Sequence, residues 1–207
     1  MHTEKSARSG AITKSLLICS AIEAELDRLK PVCDKLRADR LVCGIGNVEA
    51  GISLSRRLAD VLYAEVIFAG SCGVYGSFSG TYESAFSCEF VQKDLGLMLG
   101  RAHSPANKHV LHKPGPLGRM LGQGRRTGVT NCPDSVSLDL TGADTSGLAF
   151  ENLECFGLAR AAEIAGVHFS AVFAVTNAVG PSGSAQWRAN YRAFSDSLQE
   201  EFARLTP

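Results

Sequence analysis

At 207 residues and 45% hydrophobic content, the chain suffices for one domain with a sizeable core and leaves little room for a second. Its 21 basic and 21 acidic side chains cancel, which excludes a global field drawing nucleic acid or an anionic membrane. No apolar run approaches the length of a membrane span, and Met1 to Lys14 is polar and basic without the apolar centre of a secretory signal.

The expected organisation is a flexible tail over 1–14 and a single domain over 15–207, in the cytoplasm. The seven cysteines (Cys19, Cys33, Cys43, Cys72, Cys88, Cys132 and Cys155) form no CxxC pair. An odd, dispersed set of this kind suits reduced thiols.

In chain order, Ser15 to Ser20 reads as a buried strand and Ala24 to Leu36 as a helix interrupted by Pro31. Arg40 to Cys43 is a short strand ending in Gly44-Ile45-Gly46-Asn47. Val48 to Leu62 has helical spacing, with Leu54, Leu58, Val61 and Leu62 on one face. Ala64 to Ala69 is an apolar strand ending in Gly70-Ser71-Cys72-Gly73, and Thr81 to Val91 is extended. Phe150 to Ala165 reads as a helix, Val167 to Thr176 as a strand and Ala185 to Leu205 as a closing helix. Apolar strands alternating with helices predict an α/β fold, three layers deep, with a largely parallel sheet buried on both faces.

Residues 99–128 break this pattern. They carry Arg101, Lys108, Lys113, Arg119, Arg125, Arg126 and three histidines, with no acid. Two readings stand: a surface excursion, or a basic lid drawing an anionic substrate.

In open α/β sheets, ligands bind beyond the carboxyl ends of the strands. Ser20-Ala21, Gly44-Ile45-Gly46 and Gly70 to Gly73 end strands with small or polar residues. No GxxxxGK[ST] or GxGxxG motif is present, which argues against nucleotide-triphosphate or dinucleotide chemistry. The histidines lie in no HExxH motif or cysteine-pair setting and no GxSxG elbow exists, so neither metal, cofactor nor hydrolase triad is expected.

The acids are the stronger signal. Glu23, Glu25 and Asp27 follow the first strand; on a helix, Glu23 and Asp27 share a face and Glu25 points elsewhere. Glu151 and Glu154 open the later helix, where either acid can simply face solvent. Glu154, however, sits between Leu153 and Cys155 in an apolar setting, where a carboxylate is costly unless it is paired or functional. Asn177 ends the last strand in Val175-Thr176-Asn177-Ala178 and projects into the same crevice, or supports a turn before Gly180-Pro181. Trp187, the single tryptophan, reads as core. Cys72 has no motif supplying a partner base.

Together these segments resemble the purine nucleoside phosphorylase and nucleosidase superfamily, and within it the nucleosidase branch of futalosine hydrolases and methylthioadenosine/S-adenosylhomocysteine nucleosidases. Ala21-Ile22-Glu23-Ala24-Glu25-Leu26 looks like that branch's first-strand motif, whose last Glu activates water; the role falls on Glu25. Cys43 to Val48, with Gly46, is similar to a glycine turn of the family. Phe68 to Gly73 resembles its N-x-G-x-x-G strand end, where Ser71 would contact the leaving base or its supporting acid. Glu151-Asn152-Leu153-Glu154 resembles its E-x-M-E motif. There the last Glu, here Glu154, accepts the ribose hydroxyls, Leu153 replaces the Met under the sugar, and Asn152 lies beside both.

Two departures carry weight. The stretch from Ser20 to Glu25 holds no Arg, unlike a phosphate loop, which favours water over phosphate as nucleophile. Adenosine-type nucleosidases carry an Asp in Ser-Asp-x-Ala where this chain has Thr176-Asn177-Ala178-Val179. Futalosine hydrolases look closer, with an Asn-x-Val segment followed by a Trp, as in Asn177 to Trp187, and with an Ala-Asp-Leu-Gly stretch like Asp94-Leu95-Gly96.

The resemblance thus implies hydrolysis of a small-molecule nucleoside, futalosine first, by a homodimer. An adenine-specific methylthioadenosine/S-adenosylhomocysteine nucleosidase is the nearest alternative. A nucleoside-binding relative without turnover is a third reading, since Cys155-Phe156 stands where the family has small residues.

Overall fold

The computed structural model describes residues 12–205, so residues 1–11 of the expected tail lie outside the described residues. The first strand, β1, begins at Ile12 and runs to Ser20, three residues into the segment expected as tail. Two 3-10 turns, Glu23–Glu25 and Asp27–Leu29, then lead into α1 (Lys30–Leu36). The expected helix from Ala24 to Leu36, interrupted by Pro31, is corrected here. Pro31 occupies the first turn of α1, where its missing N–H costs nothing, so it starts the helix instead of interrupting one.

Next come β2 (Asp39–Val42), α2 (Asn47–Asp60) and β3 (Val61–Val74). Val61 and Leu62, expected on the helix, belong to β3, where they pair with β1. The chain continues through β4 (Ser84–Ser87), β5 (Glu89–Val91), α3 (Leu95–Met98), β6 (His109–Leu111), α4 (Pro116–Gly122), β7 (Arg126–Thr127) and β8 (Val129–Asn131). It closes with β9 (Leu148–Glu151), α5 (Cys155–Ala165), β10 (His168–Ala178) and α6 (Gly183–Leu205). Residues 99–128 are therefore not irregular: they hold β6, α4 and β7. Phe150 and Glu151, expected as helix, lie in β9, drawn there by pairing with Val74 and Gly73.

The ten strands form one mixed sheet flanked by helices. β1, β3 and β10 run parallel at its centre, and both faces of β1 are buried. Leu17 and Cys19 face one core with Leu54, Leu58, Leu158 and Ala162 of α2 and α5. Leu16 and Ile18 face the other, with Leu29, Val32, Leu198 and Phe202. This double burial explains the unbroken apolar runs of the strands.

β3 positions the site. Its first half pairs with β1 as far as Phe68, and its end pairs with β9 at Gly73 and Val74. Where β1 stops and β9 takes over, the chain after β1 and the end of β9 converge on one cavity. α2 and α5 meet closely beneath it: a Cβ on Gly157 would lie 2.0 Å from the Asn47 carbonyl oxygen.

Candidate active site

A cavity of about 430 Å³ opens at the carboxyl ends of β1 and β3. Three acids line it, Glu25, Glu151 and Glu154, together with Ser71, Asn152, Leu153, Asn177, Trp187 and Arg188. The structure thus gathers Glu25, Ser71, Asn152, Leu153, Glu154 and Asn177 around one space. Gly46 enters through a bond to Glu154.

Glu25 ends the first 3-10 turn and is 4% exposed. Its Oε1 accepts two hydrogen bonds from Ser71, one from the backbone N–H and one from the hydroxyl, both 2.9 Å. Its Oε2 is buried with no hydrogen-bond partner among the described residues. Burial raises its pKa from 4.5 to about 7, opposed by the Ser71 hydroxyl bond and reinforced by the charge of Glu154. A carboxyl with one oxygen held and one oxygen bare, poised near neutrality, is suited to take a proton from water.

Ser71 takes its place from this geometry. It holds the Glu25 carboxylate, and its Oγ accepts 3.1 Å from Trp187 Nε1. Trp187 is therefore not a core residue. It stacks on Tyr191 at 4.5 Å and lines the cavity.

Glu154 is 5% exposed, and both its oxygens are occupied. Oε1 accepts from Gly46 N–H at 3.0 Å, and Oε2 accepts from Asn152 Nδ2 at 2.8 Å. Gly46 has φ +90°, a conformation that favours glycine, and this aims its N–H at the acid. Burial pushes the Glu154 pKa up, and the Gly46 and Asn152 bonds hold it down. Asn152 also caps α5, its Oδ1 accepting from the N–H groups of Glu154 and Cys155 at 3.0 and 2.9 Å.

Asn177 lines the cavity with its amide tied at both ends. Nδ2 donates to Ala178 O at 2.9 Å, and Oδ1 lies 2.8 Å from the Thr176 hydroxyl that donates to it. One N–H of Nδ2 remains for a ligand.

Glu151, which the sequence offers either to solvent or to the E-x-M-E-like segment, lies on the cavity wall. It is 7% exposed, its Oε2 accepting from Tyr75 OH at 2.7 Å and from Ser137 Oγ at 3.0 Å. Burial raises its pKa, opposed by those same donors.

Other candidates fall away. Cys72 is buried, and burial pushes its thiol up, away from the thiolate a nucleophile needs. His112 and His168 contact the backbone oxygens of Ala159 and Lys113, and His109 bonds Glu89. No residue of 99–128 lines the cavity. Arg125 bonds Glu201 at 2.7 Å, and Arg126 lies 3.8 Å from Glu83 and over the Phe150 ring. Among the described residues, no group of His, Cys, Asp and Glu is placed to hold a metal ion and no helix is long and apolar enough to cross a membrane.

No protein-family model matches the chain, and no curated protein matches it in sequence. Solved structures match it in fold. A Helicobacter pylori MTAN mutant with 5′-methylthioadenosine in its active site has a TM-score of 0.75 at 13% identity, over 93% of this chain and 97% of its own. Native futalosine hydrolase of H. pylori has a TM-score of 0.76 at 11% identity, over 93% and 97%. The Neisseria meningitidis 5′-methylthioadenosine/S-adenosylhomocysteine nucleosidase complexed with methylthio-immucillin-A has a TM-score of 0.74 at 15% identity, over 93% and 98%. The chain has the fold of these nucleosidases, from end to end of the matched structures.

Proposed function

We propose that the chain hydrolyses the N-glycosidic bond of a 5′-modified purine nucleoside, with futalosine as substrate and hypoxanthine as the released base, in menaquinone synthesis. The observation that carries this reading is the bare, buried Oε2 of Glu25 beside a second held acid, Glu154, in one cavity.

Glycosidic cleavage passes through an oxocarbenium-like state in which charge grows on the sugar. Water attacks C1′ as the C1′–N9 bond breaks, and the bond's electron pair leaves with the base. Glu25 Oε2 takes the water proton, which then returns to the base. Glu154, anchored by Gly46 and Asn152, accepts bonds from the ribose hydroxyls. Leu153 packs under the sugar.

The amide of Asn177 has no acidic proton to give an adenine, but donates to an acceptor of a 6-oxopurine. Arg188 is the cation among the cavity-lining residues, and its Nε donates to Ser184 O at 3.2 Å. It is the group suited to an anionic 5′ arm, the part first sought in the basic segment. Ile45, Val48, Ile52 and Val136 are exposed apolar residues, with Ile45 and Val136 in the cavity lining, and they suit a homodimer whose contact borders the cavity.

The test is to incubate purified protein with futalosine and with methylthioadenosine and to assay the free base. Hypoxanthine release from futalosine with slower adenine release supports the reading. Faster adenine release assigns the chain to the adenine-specific activity, and no release with tight binding assigns it to a binder. Asn177→Asp should move the ratio of the two kcat/KM values toward adenine by at least ~10-fold, a change of ~1.4 kcal/mol.

A further inference from the structure

Glu25 reaches the cavity on a weak support. β1 ends at Ser20, and the acid follows on a 3-10 turn of three residues whose N-cap supplies no side-chain bond. Within it, Glu25 N–H donates to Ile22 O at 3.2 Å and Leu26 N–H to Glu23 O at 2.9 Å. Such turns have poorer hydrogen-bond geometry than an α-helix. The bare Oε2 nevertheless stands close over β3, where a Cβ on Gly70 would lie 3.3 Å from it. Displacing a reacting group by about 1 Å costs on the order of 10²-fold in rate. The turn therefore needs a hold from outside.

α6 supplies that hold. Gln199 is 2% exposed, and its amide bonds the backbone on both sides of Glu25. Nε2 donates to Ala24 O at 3.2 Å, and Oε1 accepts from Arg28 N–H at 2.8 Å. Arg192 and Asp196 share that face of the helix. Arg192 donates to Ala24 O at 3.2 Å and to Asp27 Oδ2 at 2.9 Å, and Asp196 pairs with Arg28 at 2.8 Å. Arg192 and Arg28 are about half exposed, so these ion pairs are worth little in water. Gln199 is shielded, and its two bonds are the ones water does not readily replace.

Docking the helix does not require this amide. Leu198 and Phe202 already bury α6 against Leu16, Ile18 and Val172, and a methionine would fill the space of Gln199. The same helix begins at the cavity, where Trp187 bonds the Ser71 that holds Glu25 Oε1. One element thus grips the acid by its backbone and, through Ser71, by its carboxylate.

We propose that Gln199 is the positioning residue of Glu25, fixing through the backbone at Ala24 and Arg28 where the bare Oε2 stands, with Arg192 bracing the same turn from the solvent side. The inference rests on the hydrolytic reading and adds to it a residue outside the cavity lining on which the rate depends.

A double-mutant cycle separates positioning from folding. Release of the free base is measured for Gln199→Met, made in the wild type and in Glu25→Gln, with whichever of futalosine and methylthioadenosine the wild type turns over faster. In the wild-type background kcat should fall at least ~10-fold with KM within about threefold. In Glu25→Gln, where no base remains to be placed, the same change should lower kcat by less than about twofold. The loss of Tm should be equal in the two backgrounds. Equal fold losses of kcat in both overturn the assignment, and so does a loss below about twofold in the wild-type background. Should Gln199→Met not fold, Arg192→Ala at the surface decides. A loss of ~2–5-fold confined to the wild-type background supports the grip, and an equal loss in both, or none in the wild type, overturns it. All these results leave the nucleosidase reading standing. If the wild type releases no base from either substrate, that reading falls and the positioning role falls with it.

Discussion

Glu25 and Glu65 are equally buried, each 4% exposed, yet they stand at different levels of β3 and do opposite things. Glu65 lies in the first half of the strand. Its two oxygens each accept a backbone N–H of the short helix α4, from Leu117 at 3.1 Å and Gly118 at 2.8 Å. Gly115 lets that helix end approach, since a Cβ there would lie 2.4 Å from the Glu65 carboxyl carbon. Glu25, held at the far end of β3 by Ser71, receives both donors on one oxygen and leaves the other bare. The lesson is that burial alone does not mark a functional acid. What singles out Glu25 as a candidate is a buried oxygen without a partner that also borders the cavity.

Glu25→Gln is the strongest way to break the comparison. Without its base, kcat should fall by ~10²–10⁴-fold with substrate affinity largely kept. A variant retaining more than about a tenth of wild-type kcat removes Glu25 from the chemistry. The same change has a stability signature of definite sign. Folded Glu25 holds its proton up to about pH 7, while the unfolded side chain ionises near 4.5. The folded state thus binds more protons across that window, so stability falls as pH rises from 4.5 to 7 and is level above it. Gln lacks this penalty. At pH 8 the variant should be more stable than wild type by ~1–3 kcal/mol, and at pH 4 the gain should vanish. Thermal unfolding at the two pH values reads it.

Glu154→Gln tests the other held acid. A charged acceptor gives a hydroxyl bond worth about 1.5–3 kcal/mol against ~1 for a neutral one. The wild type should therefore lose rate strongly on a 2′-deoxy substrate, and the variant little further. Equal losses in both place the ribose elsewhere.

Glu65→Gln sharpens the contrast from the structural side. Its amide oxygen can keep one N–H of α4, but its amino group faces the other donor. The expected cost is ~1–3 kcal/mol, about 2–12 °C in Tm for a chain of this size. The kcat should stay within twofold of wild type. A large fall in kcat at unchanged Tm would reverse the roles assigned to the two acids.

The sequence revealed the two sides of this comparison unequally. Glu25 was legible because it follows an apolar strand within a recognisable run of residues, and Glu154 because it stands between Leu153 and Cys155. The alternation of apolar strands and helices was legible for the same reason: it is a local pattern set by double burial. Glu151 was not, since the donors that hold it lie 76 and 14 residues away, at Tyr75 and Ser137. Glu65 carries no such signal, because its partners are backbone N–H groups of a helix some fifty residues later, which no side-chain pattern announces. The basic segment misled for a related reason. Its short elements are built by long-range pairing, Phe90 with Val110 and Phe86 with Thr127, and Arg125 and Arg126 are spent on Glu201 and Glu83.

The smallest effect concerns what sets Glu25 apart from an ordinary buried acid, the chain from Trp187 through Ser71. The indole N–H only donates, so it occupies a lone pair of Ser71 Oγ and leaves the hydroxyl hydrogen for Glu25 Oε1. Ser71→Ala deletes a bond that lowers the Glu25 pKa. With ~1.5–3 kcal/mol for a bond to a charged group, the acid limb of the kcat/KM profile should move up from about 7 by ~1–2 pH units. Trp187→Phe keeps the hydroxyl and removes only its polarisation. Cooperative strengthening in such chains is perhaps 10–30% per bond, which places the expected rise at ~0.1–0.6 unit. Because Trp187 also lines the cavity, KM can change with it, and the height of the profile does not test the chain. The midpoint of the limb does, since it reports the free enzyme's base. A limb that stays fixed in Trp187→Phe while moving in Ser71→Ala would show that Ser71 alone sets the pKa of Glu25 and that the tryptophan only walls the pocket.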